Sequence, residues 1–468
     1  MAIRSPDEEA ACGPPYDYTE TSPLLPGKQR PRTPESIGTD SFGPSELVEA
    51  KSAVWTSWRL EAKTIAAWSA PMIRAIHTVS VPVVGRIGPM ELGAVSLASV
   101  TANMIGNTLI QGLANGLDTL AAQAYGGGHR HMVGLHMQRM IYFIMLCAIP
   151  MMFLWWHSGS ILAMAVPDQQ VAELAGTYLR IMTARIPAFV LFECGKRFLY
   201  AQGLFAPITY VLLFAAPLNT LLMWVFVWQF NWGFEGAPVA IVITENLMVV
   251  LLFLYVYLID GRQCWGGFTT KAFSNWGPMI RISVPGMVMH ITEFAADEIL
   301  TLASAQFGTS QLAAQSVLVT LASVTYNIPA PVAVAASNRV ANWIGAGATR
   351  AAKTSAKVTA VFGLILASLN MVVLMALRYQ IPSLFTKDPK VIEILIAMFP
   401  IATAMQTLDS VAAISHGLLR GIGWQEFGGY LNLGVYYLIA IPISFGTAFF
   451  LGWELMGLWT GLTIGLAM

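Results

Sequence analysis

Charge is what this sequence lacks most. Lys, Arg, Asp and Glu make up 11 % of its 468 residues, where a soluble domain carries about 25 %. So few charges cannot coat a water-soluble fold of this size. The charges that remain cancel to a formal net charge of zero, so no nucleic-acid partner is expected. Cysteine is scarce as well. Cys12, Cys147, Cys194 and Cys264 show no metal-ligand or redox spacing, which argues against a disulfide framework and leaves buried or idle thiols. No apolar h-region follows the start, so no secretory signal is read. HExxH and GxSxG are missing, and the Gly cluster 126–128 has neither a strand before it nor GK[ST] after it. No enzyme activity, cofactor or metal site is expected, and His129, His131 and His136 read as solvated loop histidines.

Apolar residues are what the chain has in abundance, at 56 % with a mean hydropathy of +0.60. A bilayer span needs about 20 mainly apolar residues. Twelve candidates follow, at 64–84, 92–116, 137–156, 174–193, 204–229, 237–259, 281–303, 312–336, 355–378, 391–417, 426–450 and 454–468. Runs of this length in hydrocarbon must pair every backbone group internally, so helices are expected throughout. Residues 1–63 are different: rich in Pro, Ser, Thr and acids, and read as a disordered cytoplasmic tail. Within it, "ETSPLLPG" places Glu20 ahead of Leu24 and Leu25, an acidic dileucine pattern that would send the protein to a vacuolar or lysosome-like membrane, with the plasma membrane as the alternative. Alternate loops carry eleven Lys or Arg against three, which puts the richer set and both termini in the cytoplasm.

The chain also repeats itself. "ELGAVSL" (91–97) resembles "QLAAQSV" (311–317), and "RFLYAQG" (197–203) resembles "GLLRGIG" (417–423), both at an offset of 220. "AYGGGHR" (124–130) and "WIGAGAT" (343–349) agree at 219. The expected organisation is two parallel six-helix lobes, 64–260 and 281–468, joined by a cytoplasmic loop, 261–280, with a site between repeats near the midplane. Pro71 and Pro285 lie only 214 apart, so span 1 reads as about six residues short of span 7. Its core carries Arg74 and His77, costly in lipid. Span 12 is curtailed too. A shortened or mis-spliced product with a damaged span 1 is one expectation, tested by a transcript carrying extra codons near 71–88.

Span 7 holds "MHITEFAADEILT" (289–301), with three acids in an apolar run: Glu293, Asp297 and Glu298. Each is too costly to face lipid, so a wet cavity or cationic partners are expected. Glu293 and Asp297, four apart, lie about 40° from each other on a helix, whereas Glu293 and Glu298 lie about 140° apart. Helical geometry therefore pairs Glu293 with Asp297. Asp118, Glu193, Lys196 and Arg197 read as local salt-bridge and helix-end residues. Gln315, Asn432, Tyr436 and Tyr437 either line the C-lobe cavity or bond helix to helix.

"LDTLAAQAYGGGHRHMVGLHMQR" (117–139), "AAQSV" (313–317), "VAASNRVANWIGAG" (334–347) and "GLLRGIGWQ" (417–425) resemble, in order, the multidrug and toxic compound extrusion (MATE) transporters. The resemblance covers residues 64–468 and has a fungal and plant flavour. It implies an all-α integral membrane fold of twelve helices in two lobes, and export of small organic, often cationic, compounds in exchange for H⁺ or Na⁺, with the lipid bilayer as partner and a monomer as working unit. It assigns Glu293 and Glu298 to the family's acid pair in span 7, against the geometric pairing, and Asp409 to its acid in span 10. Thr320 stands where animal relatives carry a Glu, and span 1 lacks the Asp of many prokaryotic relatives. A lipid-linked oligosaccharide flippase of the same superfamily, or an inactive truncated paralogue, is the alternative reading.

Overall fold

The computed structural model describes residues 58–67, 69, 89–165 and 168–468. The dileucine pattern, Pro71, Arg74, His77 and most of span 1 lie outside them. Among the described residues the chain is helical, without strands. Residues 58–67 form α1, which begins six residues inside the expected tail. The N-terminal half continues with α2 (Pro89–Ala102), α3 (Thr108–Ala114), α4 (Gly116–Gly126), α5 (Arg130–Trp156), α6 (Ser158–Ala165), α7 (Gln169–Met182), α8 (Ile186–Ala201), α9 (Ala206–Trp224) and α10 (Gly236–Leu258). The C-terminal half comprises α11 (Gly277–Ser304), α12 (Thr309–Tyr326), α13 (Pro329–Gly345), α14 (Thr349–Ala376), α15 (Gln380–Phe385), α16 (Pro389–Ile422), α17 (Gln425–Gly434), α18 (Ile441–Phe445) and α19 (Glu454–Ala467).

Among the described residues seven helical stretches are long and apolar enough to cross a bilayer, including Arg130–Trp156, Thr349–Ala376 and Pro389–Ile422. Their outward faces carry large apolar side chains such as Phe253, Leu364, Ile365 and Val372, the reverse of a soluble surface. Helix α11 has the length, 28 residues, but Arg281, His290, Glu293, Asp297 and Glu298 keep its hydropathy too low to join the seven. Several expected spans are divided, 174–193 between α7 and α8 and 426–450 between α17 and α18 among them. The run 312–336 breaks into α12 and α13 before Pro329, which has no N–H to continue the ladder. The run 92–116 passes through a π-helical turn at Asn103–Asn107.

The repeat read from sequence is present in the backbone hydrogen bonds. After α4, the N–H groups of Gly127, Gly128 and His129 bond to Gln123, Tyr125 and Ala124; after α13, those of Ala346, Gly347 and Ala348 bond to Asn342, Ile344 and Trp343. Gly128 and Gly347 both take positive φ, 80° and 71°, a conformation only glycine adopts freely. Gly203 and Gly423 match in the same way, at 78° and 87°. A third correspondence, at an offset of 221, went unnoticed in the sequence: π-helical turns at Val225–Gln229 and Gly446–Phe450 are followed by Asn231 and Gly452, both at positive φ.

The halves meet reciprocally along α4 and α13. A Cβ on Gly126 would overlap the backbone of Asn342, and one on Gly345 would overlap the backbone of Gln123. The same local surface is thus used twice, as across a two-fold axis. Because the obstacle is backbone and not a movable side chain, Gly345→Val is expected to lower the thermal midpoint of the purified protein by the equivalent of about 1–3 kcal/mol. Gly93→Ala, in helix α2 with open space around it, should not lower the midpoint.

The expected inter-lobe loop is strapped down. Gln138 of α5 donates to the Gly267 carbonyl at 2.8 Å and accepts from the Thr269 N–H at 3.3 Å. Tyr142 stacks on Phe273 at 4.4 Å. Cys264 and Cys194 are buried thiols, as read from their spacing. His131 and His136 belong to α5 and not to a loop; His131 is exposed as expected, whereas His136 is buried.

Candidate functional site

Three helices of the C-terminal half bring polar groups together. Small residues let α17 lie against α11: a Cβ on Gly428 would sit 3.0 Å from the Met289 sulfur, and one on Gly429 would sit 3.0 Å from the Pro285 carbonyl oxygen. Such glycines are how helices approach closely in lipid. Asn432, one turn further along α17, then reaches Glu293. Its Nδ2 donates to Glu293 Oε1 at 2.8 Å. From α16, His416 Nδ1 stands 2.9 Å from the same carboxylate oxygen. His416 Nε2 stands 3.2 Å from Asn432 Oδ1. Glu293, His416 and Asn432 close a triangle.

Asp297 lies one turn beyond Glu293. Its side chain is exposed on α11. The charges of Asp409, Glu293 and Glu298 act on it, strongest first. Asp409 is half-buried on α16 and within the field of Glu293 and His416. Tyr436 is buried, and the same three acids, Glu293, Asp297 and Asp409, act on its hydroxyl and on that of Tyr326. The carboxylates of Asp297, Glu298 and Asp409 make no hydrogen bond or ion pair among the described residues. Glu293 and Asp297, one turn apart on α11, are the pair that helical geometry suggests, and the charge of Asp409 interacts with each.

Gln315 and Thr320 both bond within the helical framework. Gln315 is buried, donates to Thr301 Oγ1 at 3.2 Å and accepts from Trp459 Nε1 at 2.7 Å, tying α11, α12 and α19. Thr320 is exposed and gives its hydroxyl proton to the Ser316 carbonyl of its own helix at 2.8 Å. His416 was missed in the sequence. It stands seven residues, two turns, after Asp409 on one face of α16, and that spacing was the available signal. A lone histidine in an apolar helix draws no attention until its partners on α11 and α17 are known.

The N-terminal half holds a second buried network. Glu193 binds Lys196 at 2.6 Å and Arg197 through its other oxygen. Arg197 also donates to Asn115 Oδ1 at 2.6 Å and to the Gln111 carbonyl at 3.2 Å, and its Nε lies 3.7 Å from Asp118. Arg185 pairs with Glu245 at 2.7 Å. A cavity of about 400 Å³ opens between α8, α9 and α10, lined by Phe189, Phe192, Glu193, Lys196 and Glu245. Its charges are already neutralised within the protein, in contrast to the C-terminal acids. Among the described residues no group of His, Cys, Asp and Glu has the arrangement of a metal site.

The family model MatE matches residues 72–225 and 285–446, one segment in each half and together more than half of the chain. The chain is 40 % identical over 432 residues to an uncharacterised transporter of Saccharomyces cerevisiae, covering 91 % of this chain and 62 % of that protein. It thus spans less than two thirds of the yeast relative's length. It is 31 % identical over 423 residues to the Arabidopsis thaliana protein DETOXIFICATION 16, covering 90 % and 86 % of the two chains. With human multidrug and toxin extrusion protein 1 it shares 32 % identity over 394 residues, 84 % of this chain and 69 % of that one. The crystal structure of a eukaryotic MATE transporter superposes with a TM-score of 0.82 at 27 % identity, over 88 % of this chain and 94 % of that one. On the family model, the relatives and the fold together, this chain belongs to the MATE family of multi-pass membrane transporters.

Proposed function

We propose that this chain is a secondary active antiporter that exports small organic cations in exchange for H⁺ by alternating access. Glu293, Asp297 and Asp409 form its ion site. The observation that carries this reading is their convergence, from α11 and α16, in helices otherwise built for hydrocarbon. A negative site in a low-dielectric cavity attracts an organic cation and a proton alike. The acids interact, so they titrate as a set and not singly. Proton and cation exclude each other there. Two cavity orientations with different proton activities then suffice for coupling. The halves 64–260 and 281–468 would rock about the α4–α13 seam. The Lys and Arg bias of the loops supports cytoplasmic termini, and the Glu20, Leu24, Leu25 pattern supports a vacuolar membrane.

A flippase for lipid phosphates would need reachable cations. Lys196 and Arg197 are instead held by Glu193, and Arg185 by Glu245, which favours the cation antiporter.

Acid-inside vesicles containing the purified chain should accumulate tetraphenylphosphonium, and collapse of the pH gradient should release it. Asp409→Asn and Asp297→Asn are each expected to slow uptake about tenfold or more, the effect of one lost charge in a partly screened site. Glu298→Gln is expected to slow it less than threefold. Uptake that ignores the pH gradient would remove the antiport reading. A Glu298→Gln defect as deep as that of Asp297→Asn would return the second acid to Glu298.

A further inference from the structure

The geometry points to a proton site made of two side chains, Glu293 and His416, with His416 acting as an internal cation that holds the carboxylate until the substrate replaces it. This rests on the antiport reading and adds a residue to it.

The argument is hydrogen-bond bookkeeping. Asn432 presents its Nδ2 to Glu293 Oε1 at 2.8 Å, which fixes the amide orientation and turns Oδ1 toward His416. His416 Nε2, 3.2 Å away, therefore faces an acceptor and carries a proton. Nδ1, 2.9 Å from Glu293 Oε1, faces a carboxylate oxygen. A lone pair there would oppose a carboxylate at hydrogen-bond distance. The triangle closes only with a second proton between Nδ1 and Oε1, one more than neutral imidazole and carboxylate hold with Nε2 protonated. Other titratable and charged groups face the pair: His290 and Asp297 from α11, Asp409 and Arg420 from α16, Tyr326 from α12, and Tyr436 just beyond α17. Helix α17 contributes the neutral Asn432.

The proton between Nδ1 and Oε1 can leave to cavity water with no other bond broken. His416 is then neutral, and Nε2–H still donates to Asn432 Oδ1. Its Nδ1 lone pair now faces the Glu293 carboxylate, so attraction becomes repulsion and Glu293 is released toward the cavity as an uncompensated anion. An organic cation restores the charge that the imidazolium supplied. In the reverse step a proton from the other side rebuilds the imidazolium–carboxylate pair and displaces the cation. One proton is exchanged for one positive charge, and no redox step is involved.

The test is calorimetry of tetraphenylphosphonium binding to the full chain in lipid nanodiscs near pH 6, in two buffers of unlike ionisation enthalpy. The wild-type chain is expected to release close to one proton per cation bound. His416→Gln, whose amide can still bridge Glu293 and Asn432, should release less than half a proton and bind about tenfold more tightly, the effect of one unit of proton competition removed. His416→Lys is the second variant. Its fixed cation should hold Glu293 and abolish binding at every pH, while a single symmetric elution peak reports that the chain is folded. Wild-type proton release that survives unchanged in His416→Gln, or cation binding at full affinity in His416→Lys, would overturn the role of His416 and leave antiport standing. A wild-type chain that binds the cation without releasing any proton would overturn antiport and this pair with it.

Discussion

Glu293→Gln should reduce cation uptake at least about hundredfold with normal expression and a normal elution profile. Two unit charges at 4 Å interact by about 4 kcal/mol at an effective dielectric of 20, close to a thousandfold in affinity. Solvent screening of a carboxylate that is 24 % exposed lowers that figure. Glutamine keeps the shape and still offers an oxygen to Asn432 and His416, so packing is preserved and charge alone is lost. The deficit should therefore appear in transport and in cation affinity but not in the thermal midpoint. Full uptake by Glu293→Gln would sink the proposed ion site, whatever Asp409 and Asp297 do.

Arg197→Met is expected to have the largest effect on stability, about 3–5 kcal/mol, because it leaves buried carboxylates without their cation. Arg197 is buried between Glu193 and Asp118, whose side chains are only 3 % and 2 % exposed. Lys196 can serve Glu193 in part but is placed on its other oxygen. Asn115 and the Gln111 carbonyl lose their donor as well. Thermal unfolding in detergent checks this, and the double variant Arg197→Met, Glu193→Gln should recover a large part of the loss, since groups in one network do not add independently. If Arg197→Met behaves like Arg350→Met, at an exposed position, the network has no structural weight. The cavity beside it would then merit testing as a transport site.

Much of the fold was legible because hydrocarbon leaves few options. Runs of apolar residues near 20 long become helical, although 92–116, 174–193, 312–336 and 426–450 are each divided between elements. The repeat was legible at Gly128 and Gly347 because their positive φ demands glycine, so residue type and conformation are tied. It was not legible at Asn231 and Gly452, where one half uses Asn for the same turn and the letters no longer match. The divisions of the runs 92–116 and 312–336 escaped for a similar reason: hydropathy reports that a segment is apolar, not where its hydrogen-bond ladder changes register. Seven stretches meet the length and hydropathy of a span, and the acid-bearing α11 is not one of them, which is why composition found the site and undercounted the helix that carries it.

By itself the sequence determined the membrane class and the two-fold repeat and singled out the acids proposed as the ion site, because each follows from local composition or from spacing along the chain. It could not choose between Asp297 and Glu298, since helical angle and family resemblance pointed to different residues. The proposal takes Asp297 because the charge of Asp409 acts on it, an effect of the packing of α16 that no spacing along α11 reveals. Nor could it find His416, whose meaning comes from Glu293 and Asn432, 123 and 16 positions away in the chain and within hydrogen-bond distance in space. Hydrogen bonds and charge pairs act over a few ångströms with no regard to sequence separation, so the triangle of α11, α16 and α17 is a property of the tertiary structure alone.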